Sequence, residues 1–299
     1  MSVRALALPS RAVDARQFLG LRATHNPLRW YLEIVPGICT DGLFLFGGCG
    51  LGAAIEALER TTGRPVVWAA AQYLSNARPP EIMDVDLTVA VTGHRTTQAR
   101  AVAHVGDREV LTVNAALGAR EVPWSGQWAR MPAVDPPDAC PPRRRRVSPV
   151  DDSLSQRLDM RLAIGRDFAE FDGRPSDGHA ALWARVPDVL EMSAATLAIL
   201  GDYVPFGVGQ ALGELVTGSS LDNTLRVCSL VPTGWVLVDV QVQAVEHGFG
   251  HGRVHLWAED GTLLATAGQS CVVRAWADDR LASPDAVEPA VARRTPGRP

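Results

Sequence analysis

The stretch VDLTVAV at 85–91 alternates apolar and polar side chains, and VDVQVQA at 238–244 does the same. Alternation with a period of two is what a strand with one buried face requires. An offset of 153 lays the first stretch on the second. Kept without a gap, it also pairs His94 with His247, Arg100 with Arg253, Asp107 with Asp260 and Leu111 with Leu264. With Val85/Val238, Asp86/Asp239 and Val89/Val242 this makes seven identities in one register. Such a register points to an internal duplication. It predicts that residues 85–116 and 238–269 superpose strand for strand, with Asp107 and Asp260 in the same kind of turn.

Working outward, alternating runs read as strands at 66–74, 84–91, 95–105 and 109–117, and again at 219–229, 234–246, 250–258 and 262–274. Each set follows one helical segment. FLFGGCGLGAAIEALERTT (44–62) spaces Leu51, Ile55 and Leu58 as a buried stripe, and SAATLAIL (193–200) is apolar all round. One helix followed by an antiparallel meander describes an α+β unit whose sheet wraps the helix. Between the copies, PAVDPPDACPPRRRRVSP (132–149) cannot be helix or central strand, because proline removes donors and fixes φ. The division is therefore residues 1–130, a Pro/Arg-rich linker at 131–152, a second module at 153–276 and a frayed tail at 277–299. The run Arg143 to Arg146 has the composition of a nuclear-localisation or phosphate-binding patch, and a solvated linker is the commoner meaning of such runs.

Composition excludes several classes. The chain has 299 residues, 46% hydrophobic and 21% charged, with 29 basic residues against 33 acidic ones for a net charge of −4. That balance gives no sign of nucleic-acid binding. All the basic residues are Arg and none is Lys. Schiff-base chemistry, a P-loop and a protein-kinase site all lack their lysine. The five cysteines (Cys39, Cys49, Cys140, Cys228, Cys271) form no C-x-x-C pair and read as reduced thiols. No continuous apolar region marks a signal peptide and no membrane-spanning run stands out, so a cytoplasmic protein is expected.

The second half carries Gly201-Asp202-Tyr203, then Ser219-Ser220-Leu221-Asp222-Asn223-Thr224, then Gly234-Trp235-Val236-Leu237-Val238, and later Trp257, Asp260-Gly261, Leu263-Leu264-Ala265 and Gln269. The first half adds Phe46-Gly47-Gly48, Gln72-Tyr73-Leu74 and Arg78-Pro79. In these motifs, over roughly 15–275, the chain resembles the acyl-CoA thioesterase II-type, double-hotdog proteins. The resemblance implies two fused hotdog modules forming one curved sheet around two helices. It further implies hydrolysis of acyl-CoA to free fatty acid and CoA, no cofactor, and association into homodimers or higher homo-oligomers. The family's working residues fall on Asp202, Ser220 and Gln269. A carboxylate can deprotonate a water, and a hydroxyl and a carboxamide can orient it, since each both donates and accepts. Backbone N–H groups at a helix terminus would suit the charge developing on the thioester oxygen.

The chain departs from the family pattern at three places. Asn223 follows the S/T-x-D where histidine is usual, ahead of Thr224-Leu225-Arg226-Val227-Cys228-Ser229 in place of an aromatic His-Arg-Pro stretch. Cys49 replaces the glutamine after Phe46-Gly47-Gly48, and Ala71 replaces a histidine before Tyr73. At 116, the place of Gln269 under the 153 offset, stands Ala116, which leaves one productive site per chain, in the second module. Taken singly, Asp202 also reads as a helix C-terminal turn residue, and Ser220 and Gln269 as ordinary strand polars. Other constellations are weaker. His247, His251 and His255 are spaced for metal only on a helix, and they lie in a strand region with interleaved glycines. Gly48-Cys49-Gly50-Leu51-Gly52-Ala53 fits a Rossmann turn but lacks the following acidic residue. Cys49 reads as an activated thiol or, more simply, as a small packing residue. The rival functions are a non-catalytic acyl-CoA-binding hotdog protein and a hotdog hydratase or dehydratase, whose histidine is missing after Asp202.

Overall fold

The structure, a computed structural model, describes residues 13–143, 152–187 and 192–276. The N-terminal half runs α1 (Ala15–Leu19), β1 (Arg22–Ala23), β2 (Arg29–Glu33), α2 (Gly47–Thr62), β3 (Val66–Tyr73), β4 (Ile82–Thr92), β5 (Thr96–Val105) and β6 (Arg108–Gly118). The C-terminal half repeats this order as α3 (Leu154–Arg157), β7 (Asp159–Ile164), β8 (His179–Arg185), α4 (Ala194–Leu200), α5 (Val204–Leu212), β9 (Val216–Val227), β10 (Val236–Glu246), β11 (Phe249–Ala258) and β12 (Leu263–Ala275). All twelve strands form one sheet, β1-β2-β4-β5-β6-β3-β9-β12-β11-β10-β8-β7. Outward from the seam between β3 and β9 the order is the same in both directions. This is the double hotdog, two wrapped helical units sharing one antiparallel sheet. The seam itself is a short ladder from Trp68↔Arg226 to Gln72↔Asp222.

The two halves repeat the same strand order, but the gap-free offset of 153 does not hold through the second hairpin. The first hairpin of each copy bulges at the same place, between Val89 and Val91 and between Val242 and Ala244. The second hairpins differ. Gly106 and Asp107 alone join β5 to β6, with Gly106 at φ 57°, whereas Ala258 accepts from Gly261 and donates to Thr262 across a longer turn with Gly261 at φ 85°. Asp107 and Asp260 therefore sit in different turns, and the gap-free register fails beyond them. One extra residue shifts β12, so that Gln269 faces Gly252 as Ala115 faces Ala99. The counterpart of Gln269 is Ala115 and not Ala116. Both lack the amide.

The shared Asp86 and Asp239 do the same work on the outer face of the sheet. Arg29 on β2 grips Asp86 through Nε and Nη2 at 2.6 and 2.7 Å, and His104 Nε2 on β5 lies 2.9 Å away. In the other copy His179 on β8 and Trp257 on β11 hold Asp239 at 2.8 and 3.2 Å. Each aspartate thus ties three strands together.

The strands ahead of the helices had no clear sequence signal. β8 (HAALWAR) is buried along almost its whole length, so it does not alternate. Its outer face is covered by the chain before it: Cys140 packs with Trp183, Trp235 and Trp257, and Trp183 Nε1 donates to the Asp135 carbonyl at 2.9 Å. Arg143, read from sequence as part of a solvated linker, instead lays its guanidinium over the Phe206 ring at 4.8 Å. Arg144 to Arg146 and the tail from 277 lie outside the described residues. No described helix is long and apolar enough to cross a membrane.

The second helix does not stop at Leu200. It breaks at Gly201-Asp202-Tyr203 and resumes as α5. Pro205 accounts for the missing bond at the break, since it has no N–H to give the Gly201 carbonyl four residues back. Its first-turn position in α5 is one that proline tolerates. The break lifts Asp202 out of a helix that is otherwise core.

Candidate functional site

Asp202 is 5% exposed and stands at that break, against the N-terminus of α2 from the other half. The helix needs it. Phe46, the residue before α2, has no side chain able to cap, and the Gly48 N–H donates to Asp202 Oδ2 at 2.7 Å instead. The approach is close because residue 48 is glycine: a Cβ there would lie 2.7 Å from the Ala198 carbonyl oxygen and 2.8 Å from the Ile199 Cα.

The three residues singled out from sequence come together. Ser220 Oγ, on β9, lies 3.3 Å from Asp202 Oδ1. The Gln269 Nε2 amide, on β12, donates both to Asp202 Oδ1 and, at 2.7 Å, to Ser220 Oγ. Gln269 Oε1 in turn accepts from the Val204 N–H at 3.1 Å, which fixes the amide orientation. A bulge between Ser270 and Cys271 in the β9–β12 ladder lets Ser220 and Asn223 both face inward. Burial pushes the Asp202 carboxyl above the ordinary carboxylate value, while Gly48, Gln269 and Ser220 pull it back. A poised base has this environment.

A cavity of about 350 Å³ opens on the group between the two halves. Asp202 and Ser220 reach it from one half, Gly47 and Tyr73 from the other, among apolar walls that include Phe44, Val110 and Met160. The Gly47 N–H has no acceptor among the described residues. The site thus lies at the seam, not inside the second module as the single-copy reading had it. Sequence reasoning missed Gly48 as the partner of Asp202, because only the packing of α2 against α4 brings them together. The other sequence candidates fall elsewhere. His247 sits in the β10–β11 turn at φ 51°, His251 Nδ1 lies 3.1 Å from Ser270 Oγ, and His255 stacks edge-on against Trp257. Cys49 is fully buried, and its thiol is pushed well above the usual range by that burial, so it is a packing residue and no activated nucleophile.

A model of the acyl-CoA thioesterase C-terminal domain matches residues 137–273. The solved structure of a protein from Novosphingobium aromaticivorans assigned as a thioesterase is 32% identical, covers 85% of this chain and 98% of its own, and has a TM-score of 0.76. The chain belongs to the thioesterase family. A hot dog fold protein from Alicyclobacillus acidocaldarius (20% identity, 88% and 98% coverage, TM-score 0.75) and an acyl-CoA thioesterase II from Mycobacterium marinum (19%, 88% and 99%, 0.69) share its fold. No curated protein sequence matches significantly. Within this thioesterase-family chain two of the departures from pattern, Asn223 and Ala71, meet at the seam. Asn223 pairs across the seam with Ala71 and on its other side with Gln269, and burial shuts both Asn223 amide atoms away without a partner.

Proposed function

We propose that this protein hydrolyses acyl-CoA thioesters to a free carboxylic acid and CoA, with Asp202 as the base. The convergence of Asp202, Ser220 and Gln269, with Asp202 and Ser220 on the wall of the seam cavity and Gln269 bonded to both, carries this reading. A water docked beside Asp202 is oriented by the Ser220 hydroxyl, and Gln269 fixes that hydroxyl and the carboxylate through its amide hydrogen bonds. Asp202 takes the water proton as its oxygen bonds to the thioester carbon, and the carbonyl electron pair moves onto oxygen. The Gly47 N–H, without an acceptor among the described residues and at the positive end of α2, favours that charge. Collapse of the tetrahedral species breaks the C–S bond, and the CoA thiolate recovers the proton from Asp202. The apolar cavity walls suit an acyl chain.

A hydratase or dehydratase gains no support, for no histidine stands beside Asp202 in the cavity lining. Release of CoA thiol from a panel of acyl-CoAs, measured with parent protein and Asp202→Asn, tests the proposal. Turnover by the parent that survives unchanged in Asp202→Asn removes the assigned base. A parent that binds acyl-CoA and releases no thiol leaves the binding-protein reading.

A further inference from the structure

We infer that the Tyr73 hydroxyl is a further catalytic group, a hydrogen-bond donor to the thioester carbonyl oxygen contributed by the N-terminal half. The inference rests on the hydrolase reading above. Tyr73 is the last residue of β3, one step beyond the seam pair Gln72↔Asp222, and its ring lines the cavity. Its Oη is buried and has no hydrogen-bond partner among the described residues. Buried hydroxyls are almost always satisfied, and one left unpaired is costly. Protein groups nearby do not meet the need. Asp202 Oδ2 receives Gly48, and Oδ1 receives Ser220 and Gln269.

The hydroxyl also lies close to Gly47 and to the base, both of which line the cavity. The point a Cβ on Gly47 would occupy is 2.7 Å from Asp202 Oδ2 and 3.1 Å from Tyr73 Oη. The base and the phenol therefore both lie beside Gly47, whose N–H has no acceptor among the described residues. Burial, then the charges of Asp202 and Asp222, push the phenol well above its usual range, so it stays a donor wherever Asp202 is ionised. The phenol keeps its proton throughout. It shortens its bond to the carbonyl oxygen as the water oxygen adds to carbon and charge collects there, and relaxes when the C–S bond breaks.

Tyr73→Phe in the full chain tests this, by thiol release from acyl-CoA and by thermal melting. The ring is retained and an unpaired buried hydroxyl is lost. The expected result is a kcat lowered roughly 10²-fold, the usual worth of one such donor, with KM close to the parent value and a Tm equal to or above it. A kcat loss below about tenfold, a loss carried by KM, or one accompanied by a lower Tm overturns the assignment. A parent that releases no thiol overturns the hydrolase reading itself and this role with it, an outcome visible without the variant.

Discussion

Gly48→Ala tests the contact on which the whole site depends. The added methyl would stand 2.7 Å from the Ala198 oxygen, 2.8 Å from the Ile199 Cα and 3.0 Å from the Ile199 oxygen, all backbone atoms of α4. No rotamer change can relieve that overlap. The helices must part by several tenths of an ångström, and overpacking of this kind costs about 1–3 kcal/mol. Alanine returns about 1 kcal/mol of helix propensity over glycine, which leaves a net loss of about 1–2 kcal/mol at the upper end of the overlap cost. At roughly 2–4 °C per kcal/mol for large domains, Tm should fall by about 2–8 °C. Moving α2 off α4 also draws the Gly48 N–H away from Asp202, whose bond to it is 2.7 Å, so kcat should fall as well. Thermal melting and thiol release on the same preparation read both effects. A Gly48→Ala protein that melts at or above the parent temperature refutes the close α2–α4 crossing and the capping role drawn from it.

Three further outcomes are expected. Asp202→Asn should lower kcat by roughly 10²- to 10⁴-fold, and Ser220→Ala and Gln269→Ala by less; combined with Asp202→Asn they should add almost nothing, because groups acting on one water work as a unit, and additive losses would separate them. Because the Asp202 carboxyl is raised and the base must be ionised, kcat/KM should fall as pH drops through a value above the ordinary carboxylate pKa of about 3.9; an acid limb at or below that value contradicts the buried base. His104 is raised by its hydrogen bond to Asp86, so its contribution to stability is present below its ordinary pKa of about 6.5 and lost as pH rises through the raised one. The Asp86 carboxyl is lowered, first by Arg29, so its contribution holds above about 3.9 and disappears as pH falls through the lowered value. The Tm gap between parent and His104→Ala should therefore be widest between those limits and close toward alkaline pH. A gap that widens with pH refutes the assignment.

The sequence by itself determined the repeated meander, because alternation with period two records which face of each strand is buried, and a duplicated register records it twice. Asp202, Ser220 and Gln269 were marked only through the resemblance to the acyl-CoA thioesterase II-type proteins, since taken singly they read as a turn residue and two strand polars. The sequence did not determine β8, whose outer face is covered by residues 135–140 and so shows no alternation, nor the resumption of the second helix as α5 beyond Pro205. Past the second hairpin the offset misled, since a change of turn inserts one residue without altering the strand pattern on either side. The site was decided only by tertiary structure. Gly48 and Asp202 are 154 positions apart, and nothing local to either says that one caps the other. Their meeting follows from α2 packing against α4 across a seam where β3 and β9 join the two halves, and there the Tyr73 hydroxyl is buried without a partner among the described residues.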